Sequence, residues 1–242
     1  DQLLPVLARL ARENADCYAF SCYIWNIEFV RRVCRGLRKV RPQALIIWGG
    51  PEVSHQAAYL LQPNREEPVD LILCGEGERA FVSLLAALQD RPANRLPELE
   101  CSRLSSVPNL CWVDRSDGEV RRNPPARLLE GAEWPFVYSA QDLSVDGGRI
   151  LYYESSRGCP FACSYCLSAL DRTVRFRPLD LVFRELDQFL AANVLQVKFV
   201  DRTFNCNPER ARSIWHHLID QSVRSGSRTN FHRPRASLRD RD

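Results

Sequence analysis

Three cysteines lie close together in the stretch RGCPFACSYC. Their spacing, C-x3-C-x2-C, puts three soft sulfur ligands on one short segment, and thiolates bind zinc, copper(I) or iron–sulfur clusters. A structural zinc site takes four ligands, commonly as two separated pairs, and a ferredoxin-type cluster takes four cysteines at other spacings. No fourth cysteine or histidine lies nearby in the sequence. Cys159, Cys163 and Cys166 therefore predict a [4Fe–4S] cluster with one iron left open, as a catalytic metal site requires.

Two other interpretations of these cysteines stay open: a chance grouping, or a disulfide beside a free thiol. The chain has ten cysteines and shows no secretion signal. That composition is typical of a reducing compartment rather than of a disulfide framework. The expected location is therefore the cytoplasm.

The segments on either side of the cysteines alternate between strand and helix patterns. Apolar runs of strand length are followed by longer stretches with helical spacing, which predicts βα units. A proline in the first turn and an asparagine before it are typical of a helix start. The predicted elements are a strand at 150–156, a helix at 178–190, a strand at 195–200 that ends at Asp201, and a helix opened by Asn207 and Pro208.

The N-terminal part of the chain shows the same alternation. Its apolar runs are continuous rather than alternating, which predicts a parallel sheet covered by helices on both faces. The predicted strands are CYAFSC (17–22), ALIIW (44–48) and VDLILC (69–74), and the predicted helices are 2–13, one capped by Asn26, 54–61 and 78–88.

Glycines follow two of these strands, in the sequences GGPE and CGEGE. In open α/β sheets, ligands bind beyond the carboxyl ends of the strands, and glycine lets the backbone approach a ligand closely. The alternative is that these glycines only form ordinary turns between strand and helix.

The remaining segments divide the chain. Residues 93–146 are predicted to be a linker with a β-hairpin around Asp117-Gly118, a strong turn pair. Residues 233–242 have no periodicity and are predicted to be an unstructured tail. The predicted organisation is thus a first domain over 1–92, the linker, a second domain over 147–232, and the tail.

Composition limits the functional classes. The net charge of +3 is too small to indicate a nucleic-acid partner, and no run reaches the ~18–20 apolar residues that a membrane span needs. The chain has no methionine and opens inside a helical pattern. We therefore expect a missing N-terminal piece.

The cysteine motif, with Tyr165 directly before the third cysteine, resembles that of the radical S-adenosylmethionine (radical SAM) enzymes. The resemblance implies that Cys159, Cys163 and Cys166 hold a [4Fe–4S] cluster whose open iron binds S-adenosylmethionine. Reductive cleavage then gives a 5′-deoxyadenosyl radical, with electrons from a donor such as flavodoxin or ferredoxin. The radical abstracts hydrogen from a substrate, which is a small molecule or unknown. It also implies that Tyr165 neighbours the adenine.

Asp201 corresponds less closely to the family pattern. A glycine–glycine–glutamate element, which meets the amino group of S-adenosylmethionine in that family, is replaced here by VDRTFN at 200–205. The resemblance assigns that role to Asp201. The alternative is that Asp201 and Asn205 only cap the following helix.

The N-terminal segments FSCYIWNIE, IIWGGPEVS and VDLILCGEGERAF are similar to the cobalamin-binding domain that precedes the radical SAM core in one subgroup. The cobalt-coordinating motif Asp-x-His-x-x-Gly is absent, so the resemblance implies a cobalamin site without that histidine. The implied cofactor face consists of Ser21, Gly49, Gly50, Pro51, Gly75, Glu76 and Gly77.

The expected fold is α/β: a Rossmann-like sheet followed by the start of a partial (β/α)6 barrel, of which two strands are clear. The resemblance to the cobalamin-binding domain implies that the first strand of the Rossmann-like sheet is missing upstream of Asp1. The expected function is radical SAM chemistry, with methyl transfer through cobalamin as one outcome. Two alternatives remain. A methylthiotransferase acting on transfer RNA would carry further cluster cysteines near the N-terminus, where Cys17, Cys22, Cys34 and Cys74 instead look structural. The other alternative is a non-catalytic metal-binding module, an inactive fragment.

Overall fold

The computed structural model describes residues 2–89, 101–144, 149–166 and 173–232. The chain divides into two compact units, Asp1–Leu128 and Leu129–Asp242. The four-part organisation expected from the sequence stays a prediction, and its tail at 233–242 lies outside the described residues. Within the described ranges, every helix is too short or too polar to cross a membrane.

The first unit is a five-stranded sheet with helices on both sides. Its strands stand in the order β1-β2-β3-β4-β5, with the first three parallel and the last two antiparallel. The strands are β1 (Cys17–Ser21), β2 (Leu45–Gly49), β3 (Leu71–Leu73), β4 (Leu110–Val113) and β5 (Val120–Arg122). The helices are α1 (Leu3–Glu13), α2 (Ile27–Val40), α3 (Pro51–Ser54), α4 (Ala57–Leu60), α5 (Glu78–Leu88) and α6 (Cys101–Ser105).

Strand β2 shows why the apolar runs are continuous. Ile46 and Trp48 pack into one core with α2, whereas Leu45 and Ile47 pack into a second core with α5. Side chains alternate between the two faces of a strand, so a strand buried on both faces needs apolar residues at every position. The predicted parallel sheet covered on both faces is confirmed.

The predicted hairpin is present, and it belongs to the first sheet. Strand β4 pairs antiparallel with β3, with Leu71 opposite Trp112 and Leu73 opposite Leu110. Leu110 and Trp112 are buried in the same core as α5. The hairpin therefore extends the sheet, because its apolar residues are buried against the same helices.

Two local expectations in this unit were wrong. The Asn26 side chain does not cap α2: its Oδ1 accepts from the Tyr23 amide at 2.7 Å and its Nδ2 donates to the Ser21 carbonyl at 2.9 Å. The predicted helix at 54–61 is split into α3 and α4 around His55 and Gln56.

The second unit contains a parallel sheet in the order β10-β9-β6 and a two-stranded antiparallel ribbon, β7-β8. Its core is built around Phe189, whose ring makes edge contacts with Phe136, Tyr138 and Tyr153. The elements are α7 (Ala140–Ser144), β6 (Ile150–Tyr153), β7 (Ser156–Arg157), β8 (Arg175–Phe176), α8 (Leu179–Ala191), β9 (Gln196–Phe199), α9 (Pro208–Ser225) and β10 (Asn230–His232).

Successive β-strands joined by helices in one parallel sheet form the expected α/β architecture. The sequence predicted two strands here, and the structure adds a third, β10, whose three residues are too few to give a periodic signal. The predicted cap of α9 is confirmed, because the Asn207 side chain accepts a hydrogen bond from the Arg210 amide at 3.0 Å.

Candidate active site

The three predicted cluster cysteines lie just beyond β7, and the structure holds them unequally. Cys159 is buried, Cys163 is exposed and Cys166 is partly buried. The Cys159 thiol lies 3.2 Å from the Thr203 hydroxyl, while the Cys166 amide donates to the Cys163 carbonyl at 3.1 Å. Among the residues that the structure describes, no group of three His, Cys, Asp or Glu side chains is arranged to hold a metal ion. Cys159 is therefore the most buried of the three cysteines.

Cys159 is fixed because the backbone leading to it packs tightly. Gly158 has a φ of +93°, and a Cβ at this position would collide with the Thr173 carbonyl oxygen. Only glycine meets both conditions without strain. The backbone next to Cys159 is thus constrained before any metal is considered.

Asp201 ties this segment to the end of β9. It is 1% exposed, and its carboxylate accepts hydrogen bonds from the Ser155 amide at 3.1 Å, the Ser155 hydroxyl at 2.7 Å and the Ser156 hydroxyl at 2.5 Å. The Arg210 guanidinium donates to the Ser155 carbonyl at 3.2 Å, and burial lowers the pKa of Arg210. Because its oxygens are engaged, Asp201 has a positioning role in the structure. Its contact with the amino group of S-adenosylmethionine stays a prediction, and it does not cap α9.

The turn after Asp201 carries further polar groups beside Cys159. The Cys206 amide donates to the Thr203 carbonyl at 3.1 Å, and burial raises the pKa of the Cys206 thiol. The Asn205 Oδ1 atom is buried and has no hydrogen-bond partner. Buried polar atoms almost always have a partner in folded proteins. An unpaired acceptor in this turn therefore fits a site that takes up a further group with a donor.

Tyr165, the predicted adenine neighbour, points away from the core. Its side chain is 91% exposed. An aromatic ring this exposed is available to a ligand. Its role beside adenine stays a prediction.

A buried charged network below the sheet was not foreseen from the sequence. The Tyr153 hydroxyl donates to Glu185 at 2.6 Å, and Arg177 binds the same carboxylate through Nε at 2.7 Å and through a second nitrogen. Arg177 also donates to the carbonyls of Gly131 and Trp134, each at 2.8 Å. Burial and the Glu185 carboxylate raise the pKa of Tyr153 far above its usual range. The network joins β6, the residue directly after β8, and α8, and it needs residues far apart in sequence.

The predicted cofactor face of the first unit lies at the carboxyl ends of β1, β2 and β3. Ser21 pairs with Gly49, and Gly49 pairs with Leu73 on the other side. Gly50 has a φ of +101°, and a Cβ there would lie 2.6 Å from the Cys22 carbonyl oxygen. These contacts bring Ser21, Gly49, Gly50 and Pro51 to one edge of the sheet.

Ser54 and Asn109 hold the glycine-rich turn after β3 on the same edge. The Ser54 hydroxyl donates to the Gly50 carbonyl at 2.7 Å and accepts from the Gly75 amide at 3.1 Å. Asn109, with a φ of +61°, donates through its side chain to the Glu76 carbonyl at 3.1 Å. Asn109 comes from the segment before β4, so no sequence pattern connects it with this turn. Together they place Gly75, Glu76 and Gly77 beside Gly50.

An exposed aromatic pair, also not foreseen, follows β1. The rings of Tyr23 and Trp25 are stacked with centroids 4.6 Å apart, and Ile24 and Trp25 are each 77% exposed. Large apolar side chains grouped at a surface commonly mark a binding site. This pair gives the cofactor edge an apolar neighbour, which suits a large flat ligand.

Four cysteines of the first unit are buried. Burial raises the pKa of Cys22 to about 12, of Cys34 to about 11 and of Cys111 to about 11. Cys74 is also buried, and its pKa is raised for the same reason. Metal ligation requires the thiolate. This environment therefore disfavours the second cluster that a methylthiotransferase would need.

Comparison with known proteins shows which proteins the chain is similar to. The B12 binding domain family matches residues 4–85 of the chain. The 2-(S-pantetheinyl)-carbapenam-3-carboxylate methyltransferase of Streptantibioticus cattleyicolor is 28% identical over an alignment that covers 90% of this chain and 32% of that protein. The cobalamin-dependent radical SAM methyltransferase TokK of Streptomyces tokunonensis is also 28% identical, over 89% of this chain and 32% of that protein. The chain resembles radical SAM proteins with an N-terminal cobalamin-binding-type domain.

A solved structure extends the likeness to the fold. The cobalamin-dependent S-adenosylmethionine radical enzyme OxsB, determined with aqua-cobalamin and S-adenosylmethionine bound, superposes with a TM-score of 0.70 at 18% identity. The match covers 95% of this chain and 31% of OxsB. The α/β fold class expected from the sequence is confirmed, as is the resemblance to radical SAM proteins with a B12-binding domain. The chain spans about a third of the length of the curated relatives it matches.

Proposed function

We propose that this chain forms the cluster- and cofactor-binding part of a cobalamin-dependent radical SAM methyltransferase. The observation that carries the proposal is the cysteine loop. Three free thiols with C-x3-C-x2-C spacing follow β6, a strand of a parallel sheet, and the first of them contacts Thr203 just beyond the end of β9, the neighbouring strand. Two curated relatives that are methyltransferases support the assignment.

The donor set fits an iron–sulfur cluster. Cys159, Cys163 and Cys166 would hold it, and when bound it supplies the single electron that cleaves S-adenosylmethionine. Cys159 provides a fixed point, whereas exposed Cys163 is free to turn toward iron. Tyr165 would lie against the adenine, and Asp201 would orient the segment that enters the loop.

The edge of the first sheet would hold cobalamin. Gly49 and Gly50 keep that edge free of side chains, and the stacked rings of Tyr23 and Trp25 offer an apolar surface beside it. The chain contains no Asp-x-His-x-x-Gly motif. Cobalamin would therefore be held by backbone and apolar contacts, without a cobalt-bound histidine from that motif.

The reaction partners follow from the same proposal. A small-molecule substrate would receive the methyl group, and a low-potential donor such as flavodoxin or ferredoxin would supply electrons. The ten free thiols support a reducing location, the cytoplasm.

Anaerobic reconstitution of the full chain with iron and sulfide tests the proposal. We expect absorption near about 400 nm and roughly four irons per chain, with S-adenosylmethionine retained more tightly after reconstitution than before. Cys163→Ala should lose the absorption. Cys101→Ala is the matched control, since Cys101 is a partly exposed cysteine in the first unit.

Other outcomes would decide between the alternatives. Colourless zinc binding that depends on the same cysteines would support a non-catalytic metal module. Equal retention of S-adenosylmethionine with and without the cluster would contradict the radical SAM assignment. A second set of irons lost on changing Cys22 or Cys34 would indicate a methylthiotransferase instead.

A further inference from the structure

The Cys159 thiol and the Thr203 hydroxyl are in hydrogen-bond contact inside the second unit. The two atoms, Sγ and Oγ1, are 3.2 Å apart, and either one could be the donor. Cys159 is 9% exposed and Thr203 is 6% exposed. Water therefore competes little for this contact, and a hydrogen bond shielded from water is electrostatically stronger than an exposed one.

Metal binding would fix the direction of this hydrogen bond. A cysteine gives up its proton when it binds iron, and the resulting thiolate sulfur can only accept. The Thr203 hydroxyl can either donate or accept. In a cluster-loaded protein, the hydroxyl must therefore donate to the Cys159 sulfur.

The backbone on both sides of the Cys159–Thr203 contact is held by other interactions, so the contact can persist when a cluster assembles. On one side, Gly158 and the hydrogen bonds of Ser155 and Ser156 to Asp201 hold the backbone that leads to Cys159. On the other side, Thr203 lies two residues after Asp201, and its carbonyl accepts a hydrogen bond from the Cys206 amide. Cys163 is exposed, so the loop can close around a cluster by moving its outer part while Cys159 stays in place.

We propose that Thr203 is a positioning residue whose hydroxyl donates to the Cys159 thiolate and raises the reduction potential of the cluster. This inference rests on the proposed function. The step concerned is the gain of one electron from an external reductant, by which [4Fe–4S]2+ becomes [4Fe–4S]+ with no bond formed or broken in the protein. The added electron makes the thiolate a stronger acceptor, so the hydrogen bond stabilises the reduced state more than the oxidised state.

The test is a redox titration of the full reconstituted chain, followed by the electron paramagnetic resonance signal of the reduced cluster. Thr203→Val removes the hydroxyl and keeps the shape of the side chain, whereas Thr203→Ser keeps the hydroxyl. We expect Thr203→Val to lower the ratio of reduced to oxidised cluster about tenfold at a fixed potential, which is about 59 mV for one electron. Thr203→Ser should titrate like the unchanged protein.

Iron content and circular dichroism are measured on the same samples. A cluster in every variant with an unchanged potential in Thr203→Val would overturn the inference and leave the proposed function standing. Equal shifts in the valine and serine variants would also overturn it, because packing rather than the hydroxyl would then be responsible. If the unchanged protein assembled no cluster, both proposals would fall. If Thr203→Val did not fold, Thr203→Ala, which also lacks the hydroxyl, would replace it with the same expected shift.

Discussion

The buried Asp201 carboxylate accepts hydrogen bonds from both the amide and the hydroxyl of Ser155, at 3.1 and 2.7 Å. This pair connects the end of β9 to the segment that leads into the cysteine loop. A buried carboxylate is stable only when hydrogen bonds replace its lost hydration. The pair therefore both stabilises the second unit and sets where the loop begins.

Replacing Asp201 should weaken both properties. Asp201→Asn puts an amide group against donors from Ser155 and Ser156, so at least one of them loses its acceptor. We expect a loss of about 2 kcal/mol or more in the free energy of unfolding, together with faster loss of iron from reconstituted protein. Urea denaturation and iron release to a chelator measure the two effects. Arg202→Ala, at an exposed neighbour, is the control, and equal behaviour of the two variants would refute the role of the pair.

The ion pair between Glu185 and Arg177 should matter more for stability. Both side chains are buried, and Glu185→Gln leaves the guanidinium without its counter-charge. Removing one partner of a buried pair costs about 3–5 kcal/mol. Urea denaturation should show this loss, while Asp180→Asn, at an exposed ion pair on the same helix, should change stability by less than about 1 kcal/mol. A loss no larger in Glu185→Gln than in this control would show that the network contributes little.

Gly50 tests the edge proposed for cobalamin. Gly50→Ala forces an alanine into a φ of +101° with its Cβ 2.6 Å from the Cys22 carbonyl oxygen. We expect a cost of about 1–3 kcal/mol and weaker uptake of aqua-cobalamin, followed by its visible spectrum. Gly77→Ala is the control for stability, because that glycine has a φ of −90° and no atom within 4 Å of its added Cβ. A stable Gly50→Ala that binds cobalamin normally would argue against a cofactor at this edge.

The buried thiols predict a loss of stability at alkaline pH. Cys22, Cys34 and Cys111 have pKa values of about 12, 11 and 11 in the folded chain, raised by burial from an ordinary 9.0. Above pH 9 the unfolded chain releases these protons and the folded chain keeps them. Their contribution is therefore complete below pH 9 and is lost as the pH rises toward 11–12, at up to about 1.4 kcal/mol per pH unit for each thiol.

Unfolding of the full chain at pH 8, 9 and 10 measures this dependence. Cys111→Ala removes one of the titrating thiols, and its stability should fall less steeply above pH 9 than that of the unchanged chain. Cys163→Ala is the matched control, since Cys163 is exposed and should leave the slope unchanged. Parallel curves for all three proteins would contradict the assignment.

Much of the fold could be predicted because local patterns determine it. Continuous apolar runs predicted β1, β2 and β3, since a strand buried on both faces needs apolar residues throughout. The cap at Asn207 could also be predicted, because a helix cap is a contact between neighbours in sequence. The cap predicted at Asn26 was wrong, because the Asn26 side chain bonds Tyr23 and Ser21, which precede it, instead of the helix that follows.

The sequence by itself identified the three cysteines and predicted their chemistry, since the type and spacing of ligands are local properties. Only the tertiary structure decided that Cys159 is held against Thr203 while Cys163 stays exposed. It also decided that the Asp201 carboxylate accepts hydrogen bonds from the amide and the hydroxyl of Ser155. Both depend on contacts across more than 40 residues of sequence. Such contacts form where parallel strands bring distant segments to one edge, and no local pattern records which partners meet there.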